Sequence, residues 1–374
     1  MKIAIDARLY GPEHAGNGRY TKNLVENLSR LDSNNKYVIF LRKNNFDTVH
    51  LPKNWTKVLT DFKHYTFAEQ VKLPLLILKY SPDLVHFPHI NVPLFYFGKY
   101  VTTVHDITMH KYKGGEATTR RFPIYQIWRL GYHVAFAKAV YGAKKIIVPT
   151  NYVKRKVFEF YKVNRNKLVV TPEGVDKAIV SGKSGSVLKK YNLDNKKYFT
   201  YVGSAYPHKN LKRLVQSFVK YKKDGGDAIL AISSSRSVFA DRLKKLIDKH
   251  NATSYIKLLG FVPDSELGVV LSSSISFVYP TLAEGFGLPG LESFASGTLV
   301  CCSDIPVLRE VYGDNALYFD PEDVDSIAKT LDKAQKMSVA KRKVQINRSK
   351  IFVKKYSWEK LADKTLDVYR QFGN

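Results

Sequence analysis

A chain of 374 residues with 44% hydrophobic and 25% charged side chains has the composition of a globular protein, which excludes a disordered or low-complexity chain, and its length favours two domains. The formal net charge of +27 is unusual, and +12 of it falls within residues 111–170. Such a cluster suits an anionic partner, either nucleic acid or acidic lipid headgroups, with a solvated basic face as the plain alternative.

In chain order, "MKIAIDA" is a short strand with none of the long apolar run of a secretory leader. "GPEHAGNGRYTKNL" then places Gly16 and Gly18 at the start of a helix with Tyr20, Leu24 and Leu28 as its core face. Further strands are expected at "KYVIFL", "DLVHF", "YVTTVHD", "KKIIVPT" and "KLVVTPEG", alternating with helical patterns as in a parallel sheet with crossover helices. Residues 118–145, "TTRRFPIYQIWRLGYHVAFAKAVYGAKK", read as mostly helix or loop. There Ile124, Ile127, Trp128, Leu130, Val134 and Ala135 are expected to bury one side, leaving Arg120, Arg121, Arg129, Lys138, Lys144 and Lys145 outside. Tryptophan and tyrosines among these cations fit a membrane interface better than a nucleic-acid surface. The Gly-, Ser- and Lys-rich stretch that follows sets a domain boundary near residue 180.

Beyond it, "YFTYVGS", "AILAISS", "IKLLGF", "ISFVYPT" and "TLVCCSD" repeat the plan. Cys301 and Cys302 fall in the last of these and read as reduced core residues of a cytosolic protein. No apolar run reaches the ~20 residues of a spanning helix, so contact with a membrane would be at its surface. The "DVD" at 323–325 reads as first-turn capping of a helix and not as a metal pair. A last helix, with Ser357 as N-cap, puts Trp358, Leu361, Leu366 and Tyr369 on one face. Two doubly wound α/β domains facing a central cleft are the expected fold, with ligands beyond the carboxyl ends of the strands.

The stretch "EGFGLPGLE", residues 284–292, carries the chemistry most openly. A helix starting near Gly287 would aim the N–H groups of Phe286, Gly287 and Leu288 at an anion, and the glycines let a phosphate approach the backbone. Glu284 ahead of the turn can hold sugar hydroxyls or a developing cation, while Glu292 inside the helix can accept from a ribose diol. A sugar nucleotide presents those groups in that order.

This E-x7-E stretch resembles the signature of the family 4 retaining glycosyltransferases of GT-B fold. "GNGRY", "TFAEQ", "DLVHFPH", "TVHDI", "EGVD", "VGSAYPHKNLKRLVQSF" and "KLLGFVPDSEL" are similar to its other motifs, above all in mannosyltransferase-like members. The resemblance spans nearly the whole chain. It implies an acceptor-side Rossmann-like domain over 1–180, a nucleotide-sugar domain over 181–355 and a helix over 356–374 packing back on the first. It further implies His105 at the reacting sugar, Lys209 on the leaving diphosphate, Glu284 on the donor sugar and Glu292 on the ribose. Gly16, Gly18, Ser204, Phe261 and Gly285–Leu288 would complete the donor site, and Arg120, Arg121 and Trp128 would face the acceptor or membrane. Ser204 stands where many members have a second phosphate-binding arginine, and either His208 or Arg213 is a candidate substitute.

The implied reaction transfers a hexose, mannose by preference, from a nucleoside diphosphate such as GDP to a hydroxyl of a glycan or lipid-linked acceptor in cell-envelope glycan synthesis. Configuration would be retained, with no metal or other cofactor. The implied setting is cytoplasmic, peripheral on the inner face of the plasma membrane, with an anionic membrane surface and no nucleic acid as partner. A sugar-nucleotide epimerase of the same fold and a basic nucleic-acid-binding protein are the alternatives.

Overall fold

The apolar runs form two all-parallel sheets in a computed structural model that describes residues 1–62, 64–111, 122–175, 184–235 and 237–373. The first sheet contains β1 (Lys2–Asp6), β2 (Lys36–Leu41), β3 (Trp55–Leu59), β4 (Leu84–Phe87), β5 (Tyr100–Thr103), β6 (Lys145–Val148) and β7 (Leu168–Val170), in the order β3-β2-β1-β4-β5-β6-β7. The second contains β8 (Tyr198–Val202), β9 (Ile229–Ser233), β10 (Ile256–Gly260), β11 (Phe277–Tyr279), β12 (Val300–Ser303) and β13 (Leu317–Phe319), in the order β10-β9-β8-β11-β12-β13. Strand order reverses between β1 and β4 and between β8 and β11, which makes each junction a topological switch point. Central strands are buried on both faces, so they read as continuous apolar runs.

Two strands escaped the sequence reading, both at sheet edges. β3 pairs only with β2 and buries Trp55 and Val58 between exposed or half-exposed neighbours, with Trp55 stacked on Tyr37 at 4.1 Å. β13 pairs only with β12 over three residues. An edge strand covered on one side lacks the apolar run that identified the others.

The described residues divide into two units. One takes in Met1–Ile107, residues 122–174 and the chain from Ser357 onward; the other takes in Val175–Tyr356 and the short helix Thr108–Lys111. The C-terminal helix Trp358–Arg370 belongs to the first unit, where Trp358 meets Tyr20 of the helix Ala15–Leu31 edge-on at 6.4 Å and the Tyr369 hydroxyl meets His86 Nδ1 at 2.5 Å. Ser357 caps it by accepting from Lys360 N, and Asp323 likewise caps Val324–Gln335 by accepting from Asp325 N.

The helix Phe122–Gly142 turns the other way from the expectation. Ile124, Ile127, Leu130 and Val134 are exposed, Ile127 by 73%, while Tyr125, Phe136, Ala139 and Val140 are buried. Apolar side chains surround most of this helix, so two helical stripes were available, and the sheet took the aromatic one. Arg120 and Arg121 lie outside the described residues.

Candidate active site

In the second unit, the carboxyl ends of β8 and β11 are followed by the segments that matter. β8 leads through Gly203 and Ser204 into a single turn, Pro207–Lys209, ended by Asn210 in the left-handed conformation. The Asn210 amide donates to the carbonyls of Pro280 and Pro321, which ties this turn to the loop after β11. The backbone N–H of Leu282 donates to the His208 carbonyl, adding a second tie. Lys209 is thereby presented to Glu284, with Nζ at 2.5 Å from Oε1.

Tyr279, the last residue of β11, donates to the same Glu284 oxygen at 2.5 Å, and Lys209 Nζ lies 3.4 Å from its hydroxyl. Burial alone would raise the Glu284 carboxyl; the Lys209 ammonium and the tyrosine hydroxyl outweigh it and hold the acid below the usual carboxylate range, with a smaller pull from His208. The tyrosine is pushed well above its ordinary value, first by burial and then by this carboxylate. The three groups therefore stand as ammonium, carboxylate and neutral phenol.

The helix after this turn runs Leu288–Ser296 with Gly287 as N-cap, and Pro289 fills the second helical position, where no N–H is needed. Gly287 sits at φ 96°, and a Cβ there would fall 2.6 Å from the Tyr312 hydroxyl. That hydroxyl donates to the Gly287 carbonyl at 2.5 Å and braces the turn from below. Gly285 and Phe286 are buried; the Phe286 ring packs edge-on against Tyr356 at 5.5 Å, so its backbone is the part available to a ligand. Glu292, one turn into the helix, is only 3% exposed.

Two further predicted donor residues have other surroundings. The Ser204 carbonyl accepts from the Tyr201 hydroxyl at 2.7 Å. Phe261 follows β10, two strands from β8, with its ring 69% exposed. Of the two candidates for the absent arginine, Arg213 faces Asn210 and Glu322, whereas the charge of His208 reaches Glu284.

In the first unit, His105 follows β5. Its Nδ1 lies 3.1 Å from Glu173 Oε1 and its Nε2 lies 2.9 Å from the Pro88 carbonyl. Both partners are acceptors, so both ring nitrogens must donate, which requires the imidazolium. Burial opposes that charge, but Glu173 prevails and the histidine is raised above its ordinary value. Tyr20 packs edge-on against the ring at 4.6 Å. Gly16 and Gly18 occupy the first turn of Ala15–Leu31; nothing crowds Gly16, while a Cβ on Gly18 would fall 1.9 Å from the Gly11 carbonyl oxygen. Trp128, half-buried, stacks on Tyr132 at 6.0 Å.

Tyr279 and Glu173 were missed as functional partners. Tyr279 ends the strand beside a switch point, a position that was legible; Glu173 gives no local signal of its pairing with His105 68 residues away. The adjacent Cys301 and Cys302 are buried, and burial pushes the Cys301 thiol up to about 11, which leaves both as packing residues.

A largely buried lysine–carboxylate–tyrosine cluster beside a glycine-capped helix N-terminus has the chemistry to hold a diphosphate and the sugar attached to it. Residues 15–178 match the family described as Glycosyltransferase Family 4, and residues 184–352 match that described as Glycosyl transferases group 1. The chain is 30% identical over 234 residues to O-antigen chain mannosyltransferase B of Escherichia coli, a match covering 61% of each protein. It is 28% identical over 298 residues to O-antigen chain mannosyltransferase RfbU of Salmonella typhimurium, covering 79% of this chain and 76% of that one. Among solved structures, sucrose-phosphate synthase from Thermosynechococcus elongatus has the same fold, with a TM-score of 0.79 over 99% of this chain and 98% of that one at 18% identity. Fold and site together define a glycosyltransferase of GT-B fold. The chain belongs to family 4 of these enzymes, as the resemblance of its motifs implied.

Proposed function

We propose that the protein is a retaining, metal-independent mannosyltransferase that takes mannose from GDP-mannose and places it on a hydroxyl of a lipid-linked envelope glycan. The observation that carries the donor half is the Lys209–Glu284–Tyr279 cluster at the β8/β11 switch point, next to the N-terminus of Leu288–Ser296. The mannose assignment is supported by the names of the relatives, several of which are mannosyltransferases.

In this reading Lys209 leaves Glu284 for the diphosphate when donor binds and neutralises the charge that develops as the glycosidic bond breaks. Glu284, released from the ammonium but still held by Tyr279, turns to the sugar. The helix N-terminus takes the distal phosphate, and Glu292 takes the ribose diol. In this reading there is no covalent intermediate: the acceptor attacks from the face that the diphosphate leaves, and a diphosphate oxygen takes its proton.

The acceptor half belongs to the first unit, at the membrane surface on the cytoplasmic side. Two exposed apolar rows support that placement: Ile124, Ile127, Leu130 and Val134 on one helix, and Phe67, Val71, Leu75 and Leu78 on the helix Phe67–Tyr80. Among the described residues no helix is long and apolar enough to cross a membrane.

The donor is tested by melting the protein with a panel of GDP-, UDP-, dTDP- and ADP-sugars. A ligand at a hundred times its Kd stabilises the native state by about 2.7 kcal/mol. GDP-mannose is expected to raise Tm most. A larger shift from a UDP-sugar would overturn the base and hexose, and no shift from any donor would overturn the site.

A further inference from the structure

The switch point of the first sheet carries a polar cluster that the donor chemistry does not use. Asp6, the last residue of β1, accepts from Arg8 Nε at 2.7 Å and from Arg8 Nη2 at 2.7 Å. Arg8 Nη2 also donates to Glu69 Oε1 at 2.5 Å, and Asn91 Nδ2 donates to the same oxygen at 2.5 Å. His64 Nδ1 lies 3.3 Å from that oxygen and 3.1 Å from Asn91 Nδ2. Arg8 and Glu69 are completely buried.

Burying this many polar groups is costly unless every one finds a partner. Three do not: among the described residues Arg8 Nη1, His64 Nε2 and His89 Nδ1 are buried with no hydrogen-bond partner. His64 and His89 also line one cavity, together with Asp6, Thr21, Phe87 and Asn91. It measures about 10 Å³, room for a guest of one non-hydrogen atom and its hydrogens. His89 in turn stacks on His105 at 6.4 Å with the rings 26° apart, so the cavity adjoins the histidine expected at the reacting sugar.

The charge pattern narrows the guest. Asp6 and Glu69 set two carboxylates against the guanidinium of Arg8, and the neighbouring His105 imidazolium is matched by Glu173, so the balance repels a phosphate or carboxylate. Their oxygens are already engaged by Arg8, Asn91 and the Tyr65 N–H, which leaves a poor cage for a cation. His89 is held neutral by burial and by His105, down to about 3, so it presents one N–H and one lone pair. A hydroxyl donates once and accepts twice, and so can satisfy two ring nitrogens of which at least one carries its proton.

We propose that this cavity is an acceptor subsite that receives one neutral hydroxyl of a sugar ring, bonded to His64 Nε2 and His89 Nδ1. The word acceptor rests on the transferase reading above; the specificity for an uncharged hydroxyl does not. The acceptor group that enters the cavity is therefore an uncharged hydroxyl, and a phosphate or carboxylate at that position is excluded.

The test is histidine-ring NMR on the full chain labelled with 15N-histidine, in saturating GDP-mannose, with signals assigned through His64→Gln and His89→Gln. Methyl glycosides of mannose, galactose, glucose, rhamnose and N-acetylglucosamine are titrated in turn. At least one is expected to shift both rings, a monodeoxy analogue of it to abolish both shifts, and either variant to raise its Kd tenfold or more. Silence of both rings with every glycoside overturns the subsite and leaves a cavity that holds water alone. Donor binding is read in the same samples by melting temperature, so a missing donor shift counts against the proposed function and silent rings against this subsite.

Discussion

Glu284 and Glu292 differ in what surrounds them, and that difference separates their expected roles. Glu284 is clamped by Lys209 and Tyr279, whereas Glu292 is enclosed one turn into the helix Leu288–Ser296. Glu292→Ala is expected to weaken GDP-mannose binding by about 1.5–3 kcal/mol, the value of a hydrogen bond to a charged group, with kcat little changed. Glu284→Gln is expected to lower kcat far more than donor affinity. Calorimetric Kd and initial rates decide this, and equal, negligible effects from both would remove the site.

Lys209 also fixes a pH dependence. With its ammonium present, the folded-state pKa of Glu284 is depressed, so the pair contributes stability above the unfolded value near 4.5 that is lost as pH falls through the folded value. In Lys209→Ala burial, the tyrosine and the smaller pull of His208 act on Glu284, and burial, the largest of these, raises it. The variant is expected to lose about 2 kcal/mol at pH 7, less than a fully buried pair because both partners keep some solvent. Its deficit shrinks as pH falls from the raised folded-state value of Glu284 in the variant through the depressed value in the wild type. A deficit independent of pH, measured by Tm between pH 3.5 and 8, would mean that Lys209 does not hold this carboxylate.

At the scale of elements, the turn and helix at 284–296 were readable because a glycine N-cap and a proline in the first turn are local signals. The pairings His105–Glu173 and Lys209–Glu284 were not, since each joins segments about 70 residues apart that only the sheet order brings together. The helix Phe122–Gly142 was read with the wrong face inward because its apolar residues offered two stripes and sequence alone does not say which one meets the sheet. The correction strengthens the membrane reading: a row of exposed isoleucine, leucine and valine on a segment with so few acids is suited to an anionic bilayer. Ile127→Glu with Leu130→Glu is expected to abolish co-sedimentation with vesicles containing phosphatidylglycerol at low salt, without lowering Tm, because neither side chain is buried. Undiminished binding by this double variant would show that the helix does not touch lipid.

Across the whole molecule, the two sheets share one plan: strands in parallel order, reversal next to the first strand, and a cluster of candidate functional side chains at that reversal in each unit. In the second unit the reversal carries Lys209, Glu284 and Tyr279; in the first it carries Asp6, Arg8 and the histidines. The net charge of +27 is a property of the surface and says nothing about the fold, but it bears on the proposed membrane contact. Division of the chain into two units follows from short apolar runs that the sequence shows openly, whereas the place of the last helix in the first unit was implied only by the family resemblance.

The most direct test of the central claim is the anomeric configuration of the product. GDP-α-mannose labelled with 13C at the anomeric carbon is incubated with the protein, excess EDTA and a mannose-terminated synthetic lipid acceptor, and the one-bond carbon–proton coupling of the new linkage is read by NMR. An α-mannoside formed in EDTA is expected. A β-mannoside, strict dependence on a divalent metal, or no transfer from GDP-mannose to any acceptor while another nucleotide sugar is consumed would contradict it.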